Sequence, residues 1–250
     1  MTTRYIERPR RRRSSLLPLA CGCLATFAIL FAIVVVAGIF FLPNIISSLT
    51  GLTPRGDTAE VFDDVTPQPT LVLQNPTDVP QVTVDLGSFG EQRLDTNPEL
   101  YNFTVGTGTG GQPSAVATFT EAGLMDLCHQ RSTFCSPDTA DPRFRNARID
   151  LRPGGAVIYV DATLPQLGNI LLSAGVVLRW DAPSRRVVFA GLDIGGSLYT
   201  SPPQSLADAI ATVEEQMNDL IQQVAVQIGG GRYSVSEVIV DDTTLTLILR

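Results

Sequence analysis

A single apolar run near the amino terminus places the strongest constraint on this chain. Leu16–Leu42 covers 27 positions without one charged side chain. A helix needs about 20 apolar residues to cross a bilayer, whereas the apolar core of a cleavable secretory signal has about 7–15 residues and ends in small ones. This run is longer and continues through Phe40 and Phe41 to Pro43. The sequence therefore predicts a retained transmembrane helix, a signal-anchor, with a cleaved signal peptide as the alternative.

The charges on the two sides of this run predict its orientation. Residues 1–15 carry six arginines and one glutamate, so the rest of the chain has 12 arginines (18 − 6) and 24 acidic residues (25 − 1). Basic residues beside a membrane span stay on the cytoplasmic side. We therefore expect a single-pass protein of the plasma membrane with a cytoplasmic amino terminus and an acidic extracytoplasmic domain. The acidic charge also argues against nucleic acid as a partner.

Composition divides the chain into four parts. Residues 1–15 form a basic cytoplasmic tail, and residues 16–42 form the anchor in the membrane. Residues 43–80 are rich in proline and acidic side chains and have little apolar content, which predicts an extended linker. Residues 81–250 are numerous enough for one hydrophobic core and are expected to form one extracytoplasmic domain.

The patterns in the extracytoplasmic part predict an α+β fold. Alternating segments such as QVTVDL, YNFTVG and SAVATF are typical of strands, and four later segments have the spacing of a meander. A short helix is expected after Thr120, which can cap it, with Glu121 in its first turn. A long helix is expected from about Ser205 to the glycines Gly229–Gly231. The predicted architecture is a curved antiparallel β-sheet packed on one long and one short helix.

Two of the predicted meander strands, within residues 169–194, are apolar on both faces. Trp180 and its alternate neighbours lie on one face of the first strand, and Leu171 and Val177 lie on the other. Either protein or a bound apolar molecule must therefore cover each face. Together with the apolar stripe of the long helix, this strand gives a candidate lining for a groove that binds an apolar ligand: Leu172, Val176, Leu178, Trp180, Ile210, Val213, Met217 and Leu220.

The residue inventory excludes several classes of enzyme. The chain has no lysine and one histidine, which excludes a Walker-type phosphate loop, a Schiff-base lysine and an H-E-x-x-H metallopeptidase. Gly106, Gly108 and Gly111 fit G-x-G-x-x-G, but strand-like sequence on both sides predicts a hairpin loop. Sequence neighbours such as Glu214 and Glu215 do not face each other across a cleft, as a glycosidase requires. We predict no catalytic residue, no metal site and no cofactor.

Two cysteines flank the only histidine in the stretch LCHQRSTFC. Cys128 and His129 are helix neighbours that do not face each other, which does not suit a nucleophile and its base. Zinc would need a fourth ligand such as Asp138 or Asp141, and the C-x6-C spacing is wider than that of structural zinc sites. On the outer side of a membrane, Cys128 and Cys135 are expected to form a disulfide, with catalysis and zinc binding as the alternatives.

The other two cysteines, Cys21 and Cys23, lie inside the apolar run. A bacterial lipobox has a Leu-like residue three positions before its cysteine, where Pro18 precedes Cys21. We interpret both cysteines as small apolar residues of the span, with juxtamembrane palmitoylation as the alternative.

The order of the segments resembles a known family. A basic tail and one span precede FTEAGLMDL, the meander, SPPQSLADAIATVEEQMNDLIQQ and VSEVIVDDTTLTLIL. This order resembles the bacterial membrane-anchored YpmS-like proteins of unknown function. Thr120, Glu121 and Leu124 match their T-E-x-x-L-N-like helix start, although the Asn is not matched. The chain is more loosely similar to LmeA-like phospholipid-binding proteins. The resemblance implies an extracytoplasmic envelope role, with lipid or hydrophobic-ligand binding, and it carries over no catalytic residue.

These observations favour a membrane-anchored extracytoplasmic protein of the cell envelope that is not an enzyme and that binds lipid or another hydrophobic ligand. The alternative is a structural or interaction module that docks another envelope protein. An enzyme that uses carboxylates or His129 is the third possibility. The space between the long helix and the sheet discriminates between the first two, since an open groove favours a ligand and a packed core favours docking.

The disulfide gives a first testable prediction. When the denatured, unreduced chain is alkylated and mapped by mass spectrometry, Cys128 and Cys135 are expected in one linked peptide. Reduction is expected to lower the free energy of unfolding by about 2–3 kcal/mol, because the closed loop is small. Replacement of Cys21 and Cys23 by serine is the matched control and leaves the linked peptide unchanged. Alkylation of Cys128 and Cys135 before reduction contradicts the disulfide.

Overall fold

The structure is a computed structural model that describes residues 55–63, 65, 71–85, 90–108, 110–130, 144–164, 170–201 and 204–250. The predicted membrane span, Leu16–Leu42, lies outside these residues. None of the helices within them is long and apolar enough to cross a membrane.

Eight strands form the first sheet. They are β1 (Gln74–Asp78), β2 (Gln81–Asp85), β3 (Glu91–Asp95), β4 (Tyr101–Thr107), β5 (Pro113–Thr120), β11 (Ala225–Ile228), β12 (Gly231–Val240) and β13 (Thr244–Leu249). Their spatial order is β1-β4-β5-β13-β12-β11-β2-β3, and every neighbouring pair is antiparallel. The glycine-rich segment between β4 and β5 is a hairpin loop, as predicted.

Five strands form the second sheet. They are β6 (Phe144–Arg152), β7 (Gly155–Leu164), β8 (Ile170–Asp181), β9 (Arg186–Ile194) and β10 (Ser197–Tyr199). Their spatial order β10-β9-β8-β7-β6 follows the chain, with antiparallel neighbours throughout. The predicted meander is therefore confirmed, but it forms a sheet of its own and does not continue the first one.

Three described helices accompany the sheets: α1 (Glu60–Asp63), α2 (Glu121–His129) and α3 (Gln204–Gln223). The described chain is thus mostly β, with antiparallel sheets, one long helix and one of nine residues. Thr120 caps α2 as predicted, since its side chain accepts a hydrogen bond from the Gly123 N–H at 3.1 Å.

The predicted end of the long helix is wrong. α3 ends at Gln223, six residues before Gly229, and Ala225–Ile228 form strand β11. Gly229 and Gly230 have φ angles of 57° and 88° and connect β11 to β12 as a two-residue hairpin turn. Such a turn requires positive φ at both positions, which glycine adopts without steric cost. The two glycines therefore reverse a strand, and they do not cap a helix.

The eight-stranded sheet is curled, and its two ends approach each other at one corner. Val79 and Pro80 are consecutive residues between β1 and β2. The Val79 N–H donates to Phe103 O in β4 at 2.8 Å, while Pro80 O accepts from the Thr96 N–H beside β3 at 2.9 Å. Consecutive Cα atoms are about 3.8 Å apart, so this link connects the β4 end of the sheet to the β3 end.

The concave face of this sheet holds a filled core. Its centre is an aromatic cluster in which the rings of Phe103 and Phe119 meet edge to face at 5.8 Å between centroids, with Tyr101 at 6.3 Å from each. Leu127 of α2 and Leu220 of α3 complete the cluster and are 4% and 3% exposed. Both helices are therefore anchored in the eight-stranded sheet.

Helix α3 closes the open edge of β9 with its side chains. The Asn218 side chain accepts from the Val187 N–H at 2.7 Å and donates to Val187 O at 2.8 Å. Glu214 accepts from the Phe189 N–H at 3.1 Å. Four helical residues rise about 6 Å, which nearly matches the rise of about 6.7 Å for two strand residues. Glu214 therefore has a structural role as a hydrogen-bond acceptor on this edge.

Helix α2 closes the opposite edge of the same sheet. The Glu121 carboxylate accepts from the Leu151 N–H of β6 at 2.7 Å. Glu121 also lies in the first turn of α2, as predicted, where the helix dipole favours a negative charge. Helix side chains thus bond to β9 on one side of the meander and to β6 on the other, and both helices pack on the eight-stranded sheet.

Two stretches of the predicted linker, residues 43–80, belong to the folded domain. Strand β1 lies within it and pairs with β4. Upstream, the Arg55 N–H donates to Leu198 O at 2.9 Å, and Phe62 is only 6% exposed in a cluster with Val177 on the five-stranded sheet. Backbone hydrogen bonds and a buried aromatic side chain attach this stretch, which its proline-rich composition does not reveal.

Removal of the Asn218 side chain tests the edge closure. We expect Asn218→Ala to lower the free energy of unfolding by about 2–4 kcal/mol, because the N–H and C=O of Val187 lose their partners at a site where Asn218 is 2% exposed. Chemical denaturation monitored by circular dichroism measures the change. Asp219→Ala, at the exposed neighbouring position, is the matched control and changes stability by less than about 0.5 kcal/mol. Equal effects of the two substitutions contradict the proposed closure.

Candidate functional site

An apolar cavity of about 150 Å³ lies between the two sheets. The five-stranded sheet contributes one wall, β12 and β13 contribute the opposite wall, and α2 and α3 contribute the sides. The apolar side chains that line it are Leu124, Ile149, Leu151, Ala156, Ile158, Leu178, Trp180, Val187, Met217, Ile221, Val235, Val238, Val240, Leu245 and Leu247.

The wall of this cavity suits an apolar ligand such as a hydrocarbon. The accessible part of its wall is entirely apolar. Side chains such as Leu124, Ile221 and Val235 are only partly buried, so apolar surface remains that neither sheet covers. A cavity of about 150 Å³ lined by aliphatic and aromatic side chains is large enough for benzene and stays free of water. The arrangement can therefore hold an apolar group of that size.

One end of the cavity is closed by the turn between β6 and β7. The Gly154 N–H donates to Val240 O in β12 at 2.9 Å, and Gly154 O accepts from the Trp180 N–H at 2.8 Å. Gly154 has a φ of 77°, which a side chain would disfavour. This turn therefore connects the two sheets beside the Trp180 ring.

Strand alternation positions Trp180 in the wall. Trp180 and Leu178 lie on the same face of β8 and both line the cavity. The Trp180 Nε1 atom is buried and has no hydrogen-bond partner in the described part of the chain. This nitrogen adds no polar area to the accessible wall of the cavity, which is apolar.

Of the eight residues predicted to line a groove, the structure brings three into the cavity wall: Leu178, Trp180 and Met217. Four others are not among the lining residues: Val176 is fully buried on the same face of β8, Leu172 is half-buried farther along that strand, Ile210 is buried on α3, and Leu220 belongs to the filled core. The eighth, Val213, lies on α3, and its side chain is outside what the structure describes.

Sequence reasoning missed the residues of the opposite wall. Val238 and Val240 of β12 and Leu245 and Leu247 of β13 line the cavity, and the alternation of these leucines was visible in the sequence. Alternation shows that one face of a strand is apolar. It does not show which other apolar face will lie opposite.

A second cluster of polar side chains lies on the other face of the five-stranded sheet. Arg148 forms an ion pair with Asp161 at 3.3 Å and donates to Ser173 Oγ at 2.9 Å. Its guanidinium lies 4.6 Å from the ring centroid of Tyr159. Asn146 donates to the second Asp161 oxygen at 2.8 Å. The members of this cluster are bonded to one another, as is typical of a solvated sheet face.

The electrostatics of this cluster follow from burial and hydrogen bonding. Burial, followed by the hydrogen bond that it donates to Asp193 at 3.0 Å, raises the pKa of Tyr159. Burial acts to raise the pKa of Asp161 as well, but the hydrogen bonds from Asn146, Ser173 and Arg148 outweigh it and leave that pKa below its ordinary value. Asp161 therefore stays ionised at neutral pH, and Tyr159 stays protonated.

The region of the sole histidine has a simple arrangement. His129 is exposed in the last turn of α2, and Cys128 is fully buried beside it. Cys135 lies outside the described residues, so its disulfide with Cys128 stays a prediction. The same holds for Asp138 and Asp141, the alternative zinc ligands. Within the described ranges, no group of three or more histidine, cysteine, aspartate or glutamate side chains is placed to hold a metal ion.

No family model, no curated protein and no solved structure matches this chain. The resemblance to YpmS-like and LmeA-like proteins therefore stays a prediction, and the candidate site is argued from its geometry alone.

The Asp161 network predicts a pH dependence of stability. The depressed pKa means that Asp161 stabilises the folded state above its unfolded pKa of about 3.8 and that this contribution is lost as the pH falls through the lower folded value. We expect Asp161→Asn to cost about 1 kcal/mol at pH 7. Denaturation at several pH values is expected to show this difference shrinking below about pH 4. Asp242→Asn, at an exposed turn position, is the control, and a difference that is constant from pH 7 to pH 3 contradicts the network.

Proposed function

We propose that this chain is a non-enzymatic, membrane-anchored protein of the cell envelope that binds the apolar part of a lipid or of another hydrophobic ligand between its two sheets. The observation that carries this proposal is the apolar cavity of about 150 Å³ between the eight-stranded and five-stranded sheets. The sequence predicted an apolar binding surface on β8 and the long helix. Leu178, Trp180 and Met217 of that surface line the cavity.

The apolar wall of the cavity supports a use for it. Protein interiors are close-packed, yet a cavity of about 150 Å³ with an apolar wall lies between these sheets. A ligand that binds there stabilises the folded state.

The side chains of the wall favour binding over reaction. Apart from Arg179, every lining residue is apolar, and strand alternation directs the Arg179 side chain to the face opposite Trp180. A hydrocarbon gains about 25 cal/mol for each Å² that it removes from water, and the accessible wall offers it no competing polar group.

The predicted anchor gives the cavity a supply of such ligands. Residues 43–54 separate the predicted span from Arg55, whose N–H is bonded to Leu198 O beside β10. Twelve residues reach at most about 40 Å when fully extended. In the proposed topology, the domain therefore lies near the extracytoplasmic surface of the plasma membrane, and the lipids of that membrane are a source of acyl chains.

Fluorescence of Trp180, the only tryptophan in the chain, tests the proposed function. We expect 11-bromoundecanoic acid to quench this fluorescence saturably, because the indole forms part of the cavity wall. Ala156→Phe places a ring in the cavity and is expected to weaken binding by more than about tenfold, or about 1.4 kcal/mol. Ala182→Phe, at an exposed turn position, is the matched control and leaves binding unchanged.

Absence of saturable quenching, or equal quenching in the Ala156→Phe and Ala182→Phe variants, contradicts ligand binding in the cavity. The docking of another envelope protein is then the remaining proposal. Co-purification of a defined partner with the intact anchored chain would support it.

A further inference from the structure

The β7–β8 hairpin projects beyond the strands on both sides of it. β9 ends opposite Ala174, and residues 170–173 of β8 continue past that point, paired with β7. On the other side, β6 begins opposite Ala162, and residues 163–164 of β7 continue past it. One end of the five-stranded sheet is therefore a two-stranded projection, which we call the projecting end and define as residues 163–164 and 170–173.

The projecting end exposes apolar surface. In the part of the chain that the structure describes, the large hydrophobic side chains that are exposed are Leu171, at 43%, and Val72, at 74%. The next residue, Leu172, is half-buried on the opposite face of β8, and residues 162–178 carry no charged side chain. Single apolar side chains on a surface need no explanation. A projecting and uncharged hairpin differs from these, because it presents its leucine to whatever lies beyond the end of the sheet.

Arginine side chains border this end on the outer face of the five-stranded sheet, the face opposite the cavity. Strand alternation places Leu171 and Ser173 on that face. Arg148 donates to Ser173 Oγ at 2.9 Å and pairs with Asp161 at 3.3 Å, while Arg145 is exposed and lies opposite Asp161 in the ladder. Two arginines beside one aspartate leave a positive charge here, although acidic residues outnumber arginines after the predicted span (24 against 12). Arginine beside an apolar surface suits the headgroup layer of a membrane, which holds phosphates above acyl chains.

The segment that leads to the predicted anchor joins the sheet close to the projecting end. Arg55 is bonded to Leu198 O, and through β9 Leu198 is in register with Gly175 of β8. Gly175 lies four residues from Leu171, which is about 13 Å along the strand, and three strand spacings separate the segment from β8, which is about 14 Å across. Leu171 is thus about 20 Å from the point of attachment. The twelve residues that precede Arg55 span at most about 40 Å, so the projecting end is within reach of the membrane.

We propose that the projecting end contacts the lipid surface of the membrane in which this chain is anchored, with Leu171 among the acyl chains just below the headgroups and Arg145 at the level of the phosphates. The inference goes beyond the proposed function, because it concerns how the domain rests on the membrane and stands even if the cavity binds nothing. The anchor makes this second contact intramolecular, so a weak apolar contact is enough to orient the domain.

Lipids with brominated acyl chains test this contact in the full chain, because bromine quenches tryptophan fluorescence at close range. The chain is reconstituted in vesicles of phosphatidylglycerol and phosphatidylcholine, with and without bromine. Leu171→Trp adds one tryptophan to Trp180. An apolar side chain at a membrane interface lies about 5–10 Å deep, so we expect brominated lipid to lower the added emission by more than about twofold. Val72→Trp is the matched control, and its added emission is expected to stay unchanged, because the strand that follows it, β1, is exposed and mostly polar.

A second pair of variants tests the arginine. In the chain that carries Leu171→Trp, Arg145→Gln is expected to weaken the quenching in vesicles rich in phosphatidylglycerol, because an arginine near an anionic surface favours the contact. Arg93→Gln removes an exposed arginine of β3 and is the matched control, which leaves the quenching unchanged. Equal effects of the two substitutions overturn the role of Arg145 in the contact.

The outcomes separate this proposal from the proposed function. Equal quenching at positions 171 and 72 overturns the membrane contact. If the tryptophan at position 171 is shielded from aqueous acrylamide but is not quenched by bromine, protein covers the projecting end, and the membrane contact is wrong. Trp180 lies nine residues from Leu171, about 30 Å along β8, so quenching of Trp180 in the unmodified chain reports lipid in the cavity and tests the proposed function independently.

Discussion

On both sides of the five-stranded sheet, backbone groups are paired with helix side chains, and the arrangement of the two sheets depends on this. On β9, beyond the short strand β10, the Asn218 carboxamide bonds to both the N–H and the C=O of Val187, as a residue of a neighbouring antiparallel strand would. On β6, Glu121 accepts a hydrogen bond from the Leu151 N–H. Because these backbone groups are occupied, the meander does not extend the ladder of the eight-stranded sheet at these points. It lies across from β12 and β13, and helices α2 and α3 line the sides of the space between them.

This arrangement explains why the protein has both a filled core and a cavity. Leu220 of α3 packs in the filled core of the eight-stranded sheet, whereas Met217 and Ile221 line the cavity. One apolar stripe, with its i, i+3 and i+4 spacing, therefore contributes both to the filled core and to the cavity wall. Asn218 lies within the same turn and fixes the rotation of the helix. The side chains that fill one surface cannot at the same time fill the other.

Local patterns predicted the elements of this fold better than their arrangement. The Thr120 cap and the meander followed from spacing and capping chemistry, which act over a few residues. The strand after Gln223 was missed because Val224 and Ile228 also continue a helical stripe, and the Gly229–Gly230 pair fits a helix end as well as a hairpin. The structural role of Glu214 has no local signal, since its partner lies 25 residues away. The opposite wall of the cavity was missed for the same reason.

Strand β8 lies between the cavity and residues 55–63, the segment that leads to the predicted anchor. The sequence predicted that this strand is apolar on both faces. Trp180 faces the cavity, while Val177 is covered on the other side by Phe62. Gly155 touches both environments, because it lines the cavity and a Cβ at this position would lie 2.9 Å from the Phe62 ring. Interiors are close-packed and transmit displacement. One layer of backbone therefore lies between Phe62 and the cavity, and a displacement of Phe62 acts directly on the strands that form this wall.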